Sequence, residues 1–573
     1  MKGTACRHPK DEHHQKNMIK VKAISNLEKV MAGGRYEDYR EISRVSALMG
    51  ERISLELVLE LVLMPNNNVP LTFIPTVSGK LADYVTVREV RHVPAMNNAR
   101  YNTDEDYLTT EPALIPDVIM PLAYNGRVVV SPKRLTSLWV DIEPDAELGI
   151  CGESELTFNF ELVSKNADES FNATASVTVD IIGARLPEQK TLFTQWFHSD
   201  CLANYYKCEK WSDKHFEIIE NFARAARKNG INMILTPLVS PPLDNSYDTR
   251  DLQLAEVTST DGVYSFSWDR LDRWIEMADR VGIPYFEIGH LFTQGGAAYA
   301  TKVMGTVDGE YKRLFPKNTP CDAPEYTRFL RAMLTSFLDH MRKRGDDKRC
   351  YFHISDEPSR AQLETYKKAK ETVSDLLSGY VIMDALSDYE FYASGVVSKP
   401  VVVINHLDPF LENNVKGLWA YNCCGPDHGY SNRFLAMSLA RNRSIALMLY
   451  KYNIEGFLHW GYNFYNNSGS CDAINPYLET DSGGIFPSGD AFSVYPGDNG
   501  EAFESMRLVT FAEALTDISV FRLCESLYSR EEVIAALEEA VGKEITPATY
   551  INGSARYHEI RERINEMIRA RIK

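Results

Sequence analysis

Apolar and polar residues alternate along the chain from about Met18 to Leu186, as in "ISLELVLELVLM", "LTFNFELVS" and "ASVTVDIIGARLP". A period of two puts one face of a strand inward and the other outward, and Pro, Asn and Gly break the runs. This pattern predicts half-buried antiparallel strands stacked as a β-sandwich, assigned to residues 18–187. Such a unit braces a neighbour or binds sugar, and bracing is the simpler expectation.

The rhythm changes at Thr191, where short apolar runs begin to alternate with longer amphipathic stretches. Eight strands are predicted: Thr191–His198, Ile231–Leu238, Ile283–Leu291, Arg349–Pro358, Tyr380–Ser387, Pro400–Leu407, Leu418–Pro426 and Ile454–Asn463. Helical segments separate most of them. In "SDKHFEIIENFARAARKNG", Ser212 can cap the start and Gly230 the end. Eight βα units over about 270 residues predict a (β/α)8 barrel of the TIM type, over 188–482. A doubly wound open sheet is the alternative, but no glycine-rich phosphate turn follows the first strand. Two amphipathic stretches and a charged tail after Ser482 predict a helical region, 483–573, packed on the barrel or between subunits.

Length and charge narrow the function. A chain of 573 residues is too long for one core, and its formal net charge of -17 disfavours nucleic acid as a partner. The ten cysteines form no CxxC pair and no regular framework, which fits reduced thiols and a cytoplasmic protein. The N-terminal stretch, with adjacent His13 and His14, has no apolar segment of the secretory kind. The run Glu56–Pro65 contains acids and is too short to span a bilayer.

Catalytic groups of such barrels lie at the C-terminal ends of the strands. Here those ends carry Trp196 and His198, Glu287 and His290, Asp356 and Glu357, Asn405 and His406, Tyr421, then Trp460, Tyr462 and Asn463. Carboxylates mixed with aromatic and amide side chains suit a carbohydrate: rings stack on C–H faces while acids and amides bind hydroxyls. Phosphate is disfavoured, since GxxxxGK[ST] is absent. Zinc could draw on His198, Glu287, His290 and His406, but no HExxH spacing supports it, and no metal or cofactor is expected. No GxSxG elbow occurs.

The pair Asp356–Glu357 in "FHISDEPS" carries the sharpest signal. Two close carboxylates cannot both ionise cheaply, so one holds a proton, and a donor beside an anion is what glycoside hydrolysis needs. The competing reading is a helix start, with the acids favouring the helix dipole and Ser359 as cap. The polar and aromatic company at the other strand ends favours catalysis.

The segments "WFHSDCLANYY", "GINMILTPLVSPPLD", "YFEIGHLFTQGGA", "HISDEPS", "GFLHWGYN" and "FSVYPG" together resemble glycoside hydrolase family 123, the β-N-acetylgalactosaminidases. The resemblance runs from about Thr191 to the C-terminus. It implies a retaining, substrate-assisted hydrolase acting on oligosaccharides or glycoconjugates with terminal β-linked N-acetylgalactosamine. In that scheme Glu357 protonates the glycosidic oxygen and later activates water. Asp356 polarises the acetamido N–H, and the acetamido oxygen forms an oxazolinium ion. By their strand-end positions, more than by motif, Trp460 and Tyr462 are expected as sugar platforms, and His198, Asn405 and Tyr421 as subsite contacts. Two alternatives stay open: a glycosidase of other specificity, with Glu287 as nucleophile or base, and a non-catalytic carbohydrate-binding protein. No membrane partner is expected, and a homodimer is left open.

Overall fold

The structure is a computed structural model that describes residues 19–62, 69–99, 102–163, 172–246 and 248–572. His13 and His14 lie outside the described residues. The N-terminal region is strand-rich and forms two five-stranded sheets. In spatial order the first is Ile19–Ser25, Ile53–Leu61, Thr136–Ile142, Val85–Ala95 and Ala113–Pro121. The second is Arg44–Met49, Asn172–Arg185, Gly152–Leu162, Leu71–Gly79 and Val128–Val130. Leu55, Leu57 and Leu59 of the first share one apolar cluster with Phe158, Phe160, Val177 and Val179 of the second, as a two-residue period requires. The first sheet's other face is covered too. Val90, Ile115, Ile119 and Trp139 belong to the main core of the molecule.

Eight parallel strands close the barrel: β1 (Leu192–Gln195), β2 (Met233–Thr236), β3 (Tyr285–Ile288), β4 (Cys350–Phe352), β5 (Val381–Leu386), β6 (Lys399–Val403), β7 (Trp419–Tyr421) and β8 (Gly456–His459). Leu192 to Gln195 pair in register with Gly456 to His459 and shut the ring. The strands are shorter than the apolar runs predicted, because those runs include the turns that carry the polar strand-end residues. Ser212 caps the helix Asp213–Lys228 as expected, accepting from the His215 amide at 3.2 Å. One feature lay outside the sequence reading. The loops after β2 and β3 share a four-stranded sheet, built from Glu256–Thr260, Val263–Ser267, Met304–Val307 and Glu310–Arg313.

The C-terminus is helical, with helices Met506–Leu527, Arg530–Val541 and Ser554–Arg571. Buried ion pairs tie it to the N-terminal sheets. Arg507 clasps Asp117 at 2.8–2.9 Å, and Arg561 holds both Glu51 oxygens at 2.8 Å. The contact of Arg507 is two-pronged, Nε and Nη2 each donating to one Asp117 oxygen, and fixes orientation as well as distance. Among the described residues, no helix is long and apolar enough to cross a membrane.

Side chains fill the barrel. Met233, Leu235, Met383, Ala385, Val401, Trp419 and Leu458 form its interior cluster, with Trp196 and Tyr421 at one end. Gly456 makes room for the largest of them: a Cβ there would lie 2.2 Å from Cε2 of Trp419. Gly456→Ala should therefore destabilise the protein by about 1–3 kcal/mol, the usual cost of overpacking. Denaturant unfolding followed by tryptophan fluorescence checks this, and a variant as stable as wild type would contradict the packing.

Candidate active site

Beyond β4 the chain keeps its backbone pairing while it leaves the strand. Amides of Leu291 and Phe292 donate to the carbonyls of His353 and Ile354, and that of Gly295 to Asp356, at 3.0–3.2 Å. Glu357 then takes a left-handed conformation, φ +44°. Pro358 disfavours the right-handed helical region at the residue before it and favours extended backbone, so this conformation is imposed by the contacts around Glu357. Neighbours on a strand face opposite ways. Here the left-handed residue breaks that alternation at the mouth of the barrel.

The two acids end in different environments. Asp356 is buried, and its Oδ2 accepts from Gln294 Nε2 at 2.8 Å. Burial, and then the charge of Glu357, holds its carboxyl well above the usual range. Glu357 is exposed, its amide donates to Ala385 O at 3.0 Å, and its Oε1 accepts from the Tyr421 hydroxyl at 2.6 Å. Burial and the Glu357 charge keep that phenol protonated, so it stays a donor. The helix-start alternative accounts for Ser359, which forms a capping box with Gln362. It does not account for Asp356, whose donor comes from another strand's loop.

Beneath the acids lies a buried ionic stack. His353 Nε2 is 2.7 Å from Glu287, and its Nδ1 is 3.2 Å from Asp384. Burial alone would strip the ring of its proton, but bonds to Asp384 and Glu287 outweigh it and push the pKa up to about 10. Glu287 also accepts from Thr194 Oγ1 at 2.5 Å and Trp196 Nε1 at 2.6 Å. Asp384 accepts from the Ile354 amide at 3.0 Å and from the Tyr366 hydroxyl. His290 stacks on His353 at 4.4 Å, and both its nitrogens lack a protein partner. Burial, then the His353 charge, holds it neutral. Ligand-type atoms of His290, His353 and Asp384 lie within 4.8 Å of one another. Both nitrogens of His353 are already engaged by carboxylates, so this set suits proton holding better than metal ligation.

The remaining strand-end residues divide. Trp460 is half-buried at the mouth, its indole donating to Asp490 at 2.9 Å and its ring against Phe464 and Phe486. Asn405 and His406 are exposed on the turn Ile404–His406 after β6. His198 is buried between the Trp460 carbonyl (2.8 Å) and Arg250 (3.0 Å). Three expected contacts are placed as structure. Tyr462 is fully buried and donates to Phe222 O at 2.8 Å, so it is core and no sugar platform. Asn463 is spent on the His198 backbone, accepting from its amide at 2.8 Å and donating to its carbonyl at 3.1 Å. Glu287 is fully buried with three donors, so it supports the floor and is not free to attack or bind.

Several participants were missed by sequence reasoning. Gln294 lies in "FTQGGA" beside two glycines, a composition that signalled only a loop. Arg250, which clasps Asp200 at 2.7 and 2.8 Å, comes from an irregular loop with no period. His353 and Asp384 sat inside apolar runs and read as strand interior. The one available signal was a charged residue within such a run, which needs a partner.

The family model "Glycoside hydrolase 123, catalytic domain" matches residues 196–524, more than half of the chain. The chain belongs to glycoside hydrolase family 123. It is similar in fold to a family 123 glycoside hydrolase from Clostridium perfringens, studied for glycolipid glycan hydrolysis, at 16% identity and TM-score 0.72. That match covers 96% of this chain and 99% of the other. A β-glucuronidase from Parabacteroides merdae (10% identity, TM-score 0.29, 81% of this chain and 50% of that) shows weaker likeness. So does an endo-β-1,4-mannanase from Thermotoga petrophila (12%, TM-score 0.31, 58% and 77%). No curated protein matches. As a family 123 glycoside hydrolase the chain is a glycosidase, and both acids fall inside the matched span.

The ionic stack makes a pH prediction. His353 binds its proton up to about pH 10 in the folded state and only to about 6.5 when unfolded. Its contribution is therefore full below pH 6.5 and is lost as pH rises through 10. The stability gap between wild type and His353→Gln should be widest near pH 6 and shrink toward pH 10. Denaturant melts across that range check it, and a gap that grows with pH would contradict a protonated His353.

Proposed function

We propose that this glycosidase releases terminal β-linked N-acetylgalactosamine from an oligosaccharide or glycoconjugate, with retention and with the substrate's own acetamido group as nucleophile. We read the barrel as the TIM type and the N-terminal sheets as a β-sandwich that braces it. One observation carries the mechanism: the candidate acids are sequence neighbours at one strand end, one sunken and one exposed. Conventional glycosidases place two carboxyls on opposite sides of the bond, ~5–5.5 Å apart when retaining and ~6.5–9.5 Å when inverting. Neighbours serve better from one side, with Glu357 on the leaving oxygen and Asp356 on the 2-substituent. The engagement of Glu287 by three donors supports this reading over the alternative in which Glu287 is the nucleophile or base.

The proton held on Asp356 fits this division. An arriving acetamido N–H is a donor, and donors favour the carboxylate over the acid. Binding then displaces the proton from Asp356, and Glu357 is the adjacent base that can take it. The pair ends as a general acid beside an anion. The anion stabilises the positive charge that develops on the acetamido group.

Two experiments test this. With aryl β-glycosides, the N-acetylgalactosaminide should be cleaved with the first-formed sugar in the β configuration by NMR. The galactoside, which lacks the acetamido group, should be inert. Rapid cleavage of the plain galactoside, or a glycosyl group trapped on a protein carboxylate, would overturn the mechanism. Separately, Glu357→Gln should lower kcat ~10²–10⁴-fold on substrates with poor leaving groups and much less on acidic phenols. Equal losses along a leaving-group series would remove Glu357 as the acid.

A further inference from the structure

The turn after β7 carries two adjacent thiols, Cys423 and Cys424. Their sulfurs are 3.9 Å apart, and both residues are half-buried. The turn is fixed from several sides. The Cys423 amide donates to Gly425 O at 3.0 Å, and Asn432 Nδ2 donates to both Cys423 O and Pro426 O at 3.0 Å. Asn422 Nδ2 donates to Ser431 O at 3.3 Å. Tyr421, which holds Glu357, lies two residues before Cys423, and Cys423 packs against the cluster that contains Trp196 and Tyr421.

This placement selects a chemistry. The sulfur separation is nearly twice the ~2.05 Å of a disulfide, so the pair is spaced for one atom between the sulfurs. The contact with Cys424 and burial push the Cys423 thiol well up, with the charges of Glu357 and Asp490 adding to the shift. A thiol kept protonated reacts poorly with reagents that need a lone thiolate. A reagent that makes two bonds and removes both protons as water meets no such obstacle, and its second bond forms within one molecule.

We propose that Cys423 and Cys424 are a chelating site for organic trivalent arsenicals, and that its occupation closes the sugar site. An arsenoxide, R–As=O, condenses with both thiols. Two As–S bonds form, the As=O and two S–H bonds break, and the oxygen leaves as water with both protons. Arsenic stays trivalent, so no oxidant or reductant is needed. The binding half of the proposal stands on the dithiol alone, and the closing half rests on the sugar lying against Glu357.

The probe is phenylarsine oxide, added to the full chain kept reduced by a phosphine. Intact mass should show one phenylarsenic gained with two protons lost, mapped to the Cys423–Cys424 peptide. Excess 2-mercaptoethanol should leave it in place, and 2,3-dimercaptopropanol should remove it. Cys424→Ser and Cys424→Ala should bind ~10²–10⁴-fold more weakly, because the second bond is lost. The exposed Cys151 and Cys471 serve as single-thiol controls. An adduct mapped elsewhere, or variants that bind as tightly as wild type, would overturn the site. Loss of aryl glycosidase activity in step with labelling is expected for the closing half, and full activity in the labelled protein would overturn that half alone. Failure to cleave the acetamido substrate before labelling would instead sink the proposed function and leave the mass readout intact.

Discussion

His353 stands between Glu287 and Asp384 without access to water. Three ionisable groups in such a place are tolerated only when charge and hydrogen bonds close on one another, and removing one partner of such a set typically costs ~3–5 kcal/mol. The stack is also a lock. Glu287 belongs to β3, Asp384 to β5, and His353 follows β4, while Thr194 of β1 and Trp196 just after it donate to Glu287. Four strands are thus fixed at one level of the barrel. Asp356 lies three residues beyond His353 and feels both its charge and that of Asp384. The position of the sunken acid follows from this floor, while its raised pKa comes first from burial and then from the charge of Glu357.

The barrel was legible because a parallel strand between helices is a short apolar run, and eight of them at regular intervals suit a closed ring better than an open sheet. The acids were legible because charge at the end of such a run is unusual. Depth was not legible. Trp460 and Tyr462 read alike, two residues apart on one strand end, yet one is half-buried at the mouth and the other is core. Period-two reasoning puts i and i+2 on one face, but β8 ends at His459 and the turn that follows separates them. Glu287 read as a site residue for the opposite reason: its type suggested chemistry, while its three donors come from residues distant in sequence. Contacts between distant loops, such as Gln294 on Asp356, leave no mark in a local pattern.

The N-terminal sheets reach the barrel through charge as well as apolar area. Arg52 and Arg88 both meet Asp141 and Glu504, joining sheet strands to the hairpin that precedes the helix Met506–Leu527. Such pairs add little net stability when buried, but they admit one docking geometry. The helix they orient packs Phe511 on Phe193 of β1 and Phe457 of β8, where the barrel closes. Bracing of the seam therefore acts on the ring itself.

The left-handed turn at Glu357 draws on all of this. A non-glycine residue in that conformation costs on the order of 1–3 kcal/mol and persists only where its surroundings over-determine it. Here β5 supplies Ala385 O to its amide, β7 supplies the Tyr421 hydroxyl to its carboxylate, and the loop after β3 holds Asp356. No single segment encodes the pair's geometry. It follows that changes at the ends of β5 or β7 should alter the acid's aim without touching it, and that the thiols after Tyr421 lie on an element whose position the site depends on.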